Sequence, residues 1–144
     1  MILFGDLETF NEVDLKTAGT AKYAETAEIM LFPWAVDDGP VQMWDRTEDP
    51  ELPPDLHLAL LEADEVVFQN SWFDRNVLQK RMPEVCPPLD RWFDTMVQAL
   101  GHSLPGSLDK LGEIFKLDQD KRKLKVGRDL VMLCLLYTSD AADE

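Results

Sequence analysis

The first apolar run of the chain, Ile2 to Phe10, is interrupted by two carboxylates, Asp6 and Glu8. Side chains along a strand alternate between faces, so Ile2, Phe4, Asp6 and Glu8 share one side of the strand this run predicts. In a buried strand, two like charges ~7 Å apart would raise each other's pKa and call for a positive group nearby. The stretch NEVDLKTAGTAKYAE that follows is mixed and polar, and predicts one short helix and a turn.

Further on, the apolar run Ile29 to Val36, the turn residues Asp37-Asp38-Gly39-Pro40 and the run Val41 to Trp44 predict an antiparallel hairpin. After the proline-rich link Asp49 to Pro54, DLHLALLEA predicts a short helix and Glu65 to Phe68 a strand. A helix over about Ser71 to Met82 comes next, with Phe73, Val77 and Leu78 toward the core. Arg91-Trp92-Phe93 predicts a short strand entering a helix at Asp94, and Pro105-Gly106 a turn into a helix over Ser107 to Phe115, with Leu108, Leu111 and Phe115 on one face. The order strand, strand, strand, helix, strand, helix implies an α/β fold with a mixed sheet.

Composition narrows the class. A chain of 144 residues with 45% apolar content can bury a core and is not of the disordered class. No apolar run reaches the ~20 residues of a membrane span, and the N-terminus lacks a signal-peptide pattern, so a cytoplasmic location is expected. Cys86 and Cys134 have neither a metal-ligand spacing nor a disulfide framework. The net charge of −14 repels phosphate backbones; a nucleic-acid partner would require divalent cations or a local basic patch.

The C-terminal residues 134–144, CLLYTSDAADE, break the preceding pattern and resemble the in-frame translation of a transposase-type sequencing adapter. The expected division is therefore a partial domain over 1–133 and a non-native tail over 134–144. Without Asp140, Asp143 and Glu144 the net charge moves from −14 to −11.

The second informative stretch is VFQNSWFDRNVL, Val67 to Leu78. Asp74 falls in the first helical turn, where its side chain leans back toward the helix start and can aim at a neighbouring strand. Ser71 with Asp74 three positions on also has the form of a capping pair at the positive helix end. Taken with Asp6 and Glu8, Asp74 completes a set of three carboxylates able to converge on a pair of hard cations, as two-metal phosphoryl chemistry requires.

Here a family resemblance enters. DLETF resembles the first motif, and QNSWFDRNVL the second, of the DEDD family of 3′–5′ exonucleases, which share a ribonuclease H-like fold. The wider match, through WAVDDGPVQMW and WFDTMVQALGHSLPGSLDKLGEIFKLDQDKRKLKVGRDL, resembles the proofreading domain of phage-type family A DNA polymerases. The resemblance implies a ribonuclease H-like mixed sheet flanked by helices and C-terminally incomplete. It implies Asp6, Glu8 and Asp74 as metal-binding and catalytic carboxylates for two divalent cations, Mg²⁺ or Mn²⁺. Thr9, Phe10, Asn70 and Phe73 fall where the family contacts substrate. The implied substrate is a single-stranded 3′ end of DNA, and the implied partner is the polymerase domain of a full-length parent in a phage-infected or prophage-bearing bacterium.

Two departures stand out. Where related sequences often read His-Asn, this one has Gln69-Asn70. The third motif, a Tyr or His four residues before a fourth carboxylate, is missing: Tyr137 is followed four residues on by Ala141, and Asp140 is only three away. Three carboxylates without the fourth bind metal more weakly and position water poorly, so this chain is expected to be nearly inactive while its parent is active.

Asp94 and Ser107 read as helix N-caps, and His57 and His102 as helix-surface or loop residues. Trp34 and Trp44 are expected around the hairpin. Lys121, Arg122, Lys123, Lys125 and Arg128 form the basic cluster of an acidic chain, a phosphate contact or a solvated loop. Two other readings stay open: a free-standing 3′–5′ exonuclease of the same fold acting on DNA or RNA, and a noncatalytic acidic binding domain.

Overall fold

The computed structural model describes residues 1–118; the basic cluster Lys121 to Arg128, Cys134, Tyr137 and the tail 134–144 lie outside the described residues. The described residues fall into two compact units, Met1–Gln98 and Ala99–Glu144, the second described over 99–118.

The first unit is built on a mixed sheet. Its strands are β1 (Ile2–Gly5), β2 (Glu8–Phe10), β3 (Glu28–Val36), β4 (Gln42–Asp45), β5 (Glu65–Phe68) and β6 (Trp92–Asp94). β1 and β2 both pair antiparallel with β3, and the register Gly5↔Trp34 runs on unchanged to Glu8↔Leu31. They are two lengths of one strand line, as the single run Ile2 to Phe10 predicts, interrupted at Asp6 and Leu7. The register slips by one residue after Glu8, where Thr9 pairs Ile29. In space β4 lies beside β3, β3 beside the β1/β2 line, then β5 parallel to β1, then β6 parallel to β5. A hairpin supplies the antiparallel half. Parallel neighbours need crossovers, supplied here by segments that carry helices.

The helices follow their apolar spacing. After α1 (Leu15–Ala18) and α2 (Thr20–Thr26), α3 (Pro54–Glu62) starts on a proline and buries Leu56, Ala59 and Leu60. α4 (Ser71–Arg81) buries Ser71, Asp74, Val77 and Leu78, so Asp74 lies on the helix's own buried stripe. α5 (Thr95–Gly101) follows β6 directly. The polar stretch after β2 holds two short helices rather than the one predicted, because Gly19 at φ 79° breaks the run between them.

Alternation assigns the sheet faces. Leu3, Leu7, Phe32, Trp34, Trp44, Val66 and Phe68 join the buried residues of α2, α3 and α4 in one core. Gly5 belongs to this side: a Cβ there would stand 2.5 Å from Phe68 Cζ and 2.9 Å from Phe32 Cε2. On the other face Phe4 is 41%, Met43 56% and Phe93 39% exposed, and Asp6 and Glu8 are exposed with them. The prediction of a buried strand carrying two buried carboxylates is corrected here. The strand is buried on one face only, and the carboxylates occupy the face that meets water.

The hairpin forms as predicted, with Trp34 and Trp44 buried and Trp44 Nε1 donating to the Asp49 carbonyl at 2.8 Å. In the second unit, α6 (Leu108–Ile114) covers nearly the predicted span, with Ser107 at the cap position but making no side-chain cap bond. Leu108 and Phe115 are 50% and 62% exposed, so the apolar face expected of that helix is not buried among the described residues. His57 lies exposed on α3 and His102 exposed after α5, as expected.

Candidate active site

The interruption between β1 and β2 makes the site. Asp6 N–H donates to the Pro33 carbonyl of β3 at 3.2 Å, so the next N–H, that of Leu7, points to the opposite edge of the strand line. Pairing of β1 with β5 extends only to Phe4↔Val67, and beyond Phe68 the chain turns into α4. Leu7 N–H therefore has no neighbouring strand to meet. Its acceptor is Asp74 Oδ1, at 3.2 Å and buried.

Asp74 is 3% exposed. Burial is the main cause that raises its pKa, and the charge of Asp6 adds to it; Asp94 contributes less in the same direction. The Leu7 and Asp74 backbone N–H groups oppose this, and the balance lifts the carboxyl from 3.8 to about 8. Asp6 directly precedes Leu7, whose N–H meets Asp74, so both acids stand at the strand–helix junction. Glu8 lies two residues beyond Asp6 on the same exposed face, at the register slip. Among the described residues, no group of three or more His, Cys, Asp or Glu side chains is gathered closely enough to hold a metal ion.

The predicted substrate-side residues divide between two places. Thr9 and Phe73 meet through Tyr23: Thr9 Oγ1 and Tyr23 Oη are 3.0 Å apart, and the Tyr23 and Phe73 rings lie 5.7 Å apart. Phe10 is half-buried at the end of β2, opposite Glu28. Asn70 stands at the mouth of α4 in the left-handed region, φ 60° and ψ 48°, which asparagine tolerates better than most residues. Gln69, at the departure from the family's His, accepts from the Thr95 hydroxyl.

The capping-pair reading of Ser71 and Asp74 is overturned. Ser71 is the first helical residue, and its N–H and hydroxyl both donate to Asp94 Oδ2, at 2.8 and 3.0 Å. Asp74 turns instead to the strand. Asp94 also caps its own helix, accepting from Met96 N–H at 2.8 Å, as its sequence position predicts.

Sequence reasoning missed Tyr23 and the second role of Asp94. Nothing in the pattern around Tyr23 marks it out. The Asp94 contact depends on the parallel register Phe68↔Asp94, which sets that carboxylate beside the start of α4.

A groove of about 650 Å³ lies nearby, lined by Trp72, Arg75, Trp92, Phe93, Asp94 and Val97 among others. It includes none of Asp6, Glu8 and Asp74. Asp74 meets the strand line at Leu7 N–H instead.

No family model matches the chain. The DNA polymerase of Bacillus phage SP02 is 36% identical over 129 residues, 88% of this chain and 19% of the phage protein. Among solved structures, the Aedes aegypti Nibbler EXO domain aligns with a TM-score of 0.52 at 12% identity, over 71% of this chain and 46% of that one. The family B DNA polymerase of the archaeon Pyrobaculum calidifontis aligns with a TM-score of 0.50 at 15% identity, over 81% of this chain and 18% of that one.

The fold is accordingly that of an exonuclease domain, a ribonuclease H-like mixed sheet flanked by helices. The sequence is related to a phage DNA polymerase, and its fold is one shared with exonuclease domains, as the sequence resemblance implied. It spans about a fifth of the phage polymerase's length.

Proposed function

We propose that this chain is the 3′–5′ exonuclease part of a DNA polymerase, removing nucleotides from single-stranded 3′ ends of DNA, the proofreading reaction. The observation that carries the reading is Asp74: a carboxylate 3% exposed, held by Leu7 N–H and coupled to Asp6 across the junction. A buried carboxylate facing a second one is costly without a cation, which gives such a pair a use.

Whether divalent cations fit can be judged from the donors. Asp6, Glu8 and Asp74 offer only carboxylate oxygens, the hard donors that Mg²⁺ and Mn²⁺ take, and these residues would hold the two ions. When bound, such ions activate water and stabilise a leaving oxygen. The chain's own residues supply placement: Leu7 N–H fixes Asp74, and Tyr23 ties Thr9 to Phe73 where the 3′-terminal nucleotide would lie. In this reading residues 1–133 are a partial exonuclease domain and 134–144 are not native. Turnover by this chain is low because the fourth carboxylate and its Tyr or His are absent from its sequence. The polymerase domain of a longer parent is the proposed partner, in the cytoplasm of a phage-infected or prophage-bearing bacterium.

One observation favours a second reading. The three carboxylates are not gathered into a ready ion site, as a noncatalytic acidic domain would have it. A Mn²⁺ titration followed by thermal melting separates the two, with the Asp6→Ala/Glu8→Ala variant alongside. An ion that binds only the folded chain raises Tm. The exonuclease reading expects a rise in the parent and none in the variant; equal responses sink it.

A further inference from the structure

The start of α4 has no side-chain cap from its own cap residue. The first N–H groups of a helix lack intrahelical acceptors, and the residue at the cap position normally supplies one from its side chain. Asn70 stands there at φ 60° and makes no side-chain cap bond. The acceptor comes from the sheet instead. Asp94, the last residue of β6, takes Asn70 N–H at 3.0 Å and Met96 N–H at 2.8 Å on Oδ1, and Ser71 N–H and Oγ–H at 2.8 and 3.0 Å on Oδ2.

One carboxylate thus joins the starts of two helices to the end of a strand. Both its oxygens are occupied by donors, which leaves Asp94 poorly suited to be a ligand itself. A cap from within the helix would stabilise α4 but leave its start free to pivot on the sheet. This one fixes the start to β6, and β6 is fixed to β5 by the Phe68↔Asp94 register. Thr95 adds a second tie, its hydroxyl facing Gln69 Oε1 at 2.5 Å and the Phe68 carbonyl at 3.4 Å. Asp74 lies three residues after Ser71, less than one turn from the anchored end. A small pivot there would carry its carboxylate away from Leu7 N–H and Asp6.

We infer that Asp94 is a positioning residue, anchoring the start of α4 to the sheet so that Asp74 is aimed at Leu7 N–H and at the side of Asp6. Its importance for an ion site rests on the exonuclease reading; the anchoring itself does not. Groups that orient ligands from behind affect metal affinity by about 10- to 100-fold when removed.

The test uses the ¹⁵N-labelled full chain and its Asp94→Asn variant, in which an amide NH₂ faces N–H donors on one side. Without metal, amide exchange of Leu7 should quicken about tenfold in the variant while Leu3 and Val66, held by strand pairing, keep parent rates. With Mn²⁺ added, the concentration that half-broadens the Leu7 and Asp74 amide signals should rise about tenfold. Leu7 exchange within about twofold of the parent overturns the inference, and so does equal acceleration of Leu3, Val66 and Leu7, which marks general loosening. If Asp94→Asn does not fold, Ser71→Ala removes one donor only and should quicken Leu7 exchange about threefold; an unchanged rate overturns the inference equally. Absence of Mn²⁺ broadening in the parent defeats the exonuclease reading, and Leu7 exchange still decides the role of Asp94.

Discussion

The two faces of the central strand line, built from alternating residues of one run, have opposite chemistry. Leu3, Gly5 and Leu7 close against Phe32, Phe68 and the helices, so tightly that a methyl group on Gly5 would collide with both rings. Phe4, Asp6 and Glu8 point to water. Asp74 breaks the symmetry. It is the carboxylate on the closed side, brought there on the buried stripe of α4 and reaching the strand through Leu7 N–H. An open face can carry two acids at little cost, whereas one acid on the closed side dominates the electrostatics of the junction.

The sharpest way to break this comparison is pH. Folded Asp74 keeps its proton up to about pH 8, whereas unfolded chain releases it near 3.8. Between those values the folded state holds the extra proton, so metal-free stability should fall as pH rises through that window and level off above it. The effect is on the order of a few kcal/mol. Thermal melts of the parent and Asp74→Asn should agree near pH 4 and diverge by pH 8, with the variant the more stable. Parallel curves across the window would place Asp74 in water.

Adjacent residues on opposite faces give the next test. Leu3→Ala, at a site with no exposure, should lose about 3 kcal/mol in urea unfolding. Phe4→Ala should lose no more than about 1 kcal/mol. Similar losses would mean that the second face is also closed.

A smaller effect sharpens the substrate-side half. Tyr23→Phe removes the hydroxyl that meets Thr9 while keeping the ring against Phe73, and about 1 kcal/mol should be lost. No loss would show that the Thr9 contact is dispensable.

The smallest change is expected where the chemistry is proposed to be. The Asp6→Ala/Glu8→Ala variant should lie within about 0.5 kcal/mol of the parent without metal, because both positions are exposed. It should also show a shallower pH slope, since removing the Asp6 charge lets Asp74 ionise more easily. An unchanged slope would separate Asp6 from Asp74.

Much of the fold was legible. Glu65–Phe68 was predicted to the residue, α4 to within one, and the hairpin from its turn residues, because alternation and helical spacing are local properties of the chain. Asp6, Glu8 and Asp74 could be picked out because carboxylates inside apolar runs are conspicuous. Their environments could not. The predicted burial of Asp6 and Glu8 failed because alternation says which residues share a face and not which face is covered. The Ser71–Asp74 capping pair failed because a three-residue spacing fits both a helix cap and a helix whose cap comes from another strand.

By itself, then, the sequence determined most of the strand and helix spans, the pairing of acids on one strand side and the carboxylate at the start of a later helix. All of these depend on spacing along one backbone. Only the tertiary structure decided that Asp74 is the buried acid, that Leu7 N–H is its partner and that Asp94 anchors the helix carrying it. Those three facts follow from where β5 ends beside β1 and how β6 registers on β5. Such contacts join residues 23 to 67 positions apart and have no local signature in the chain.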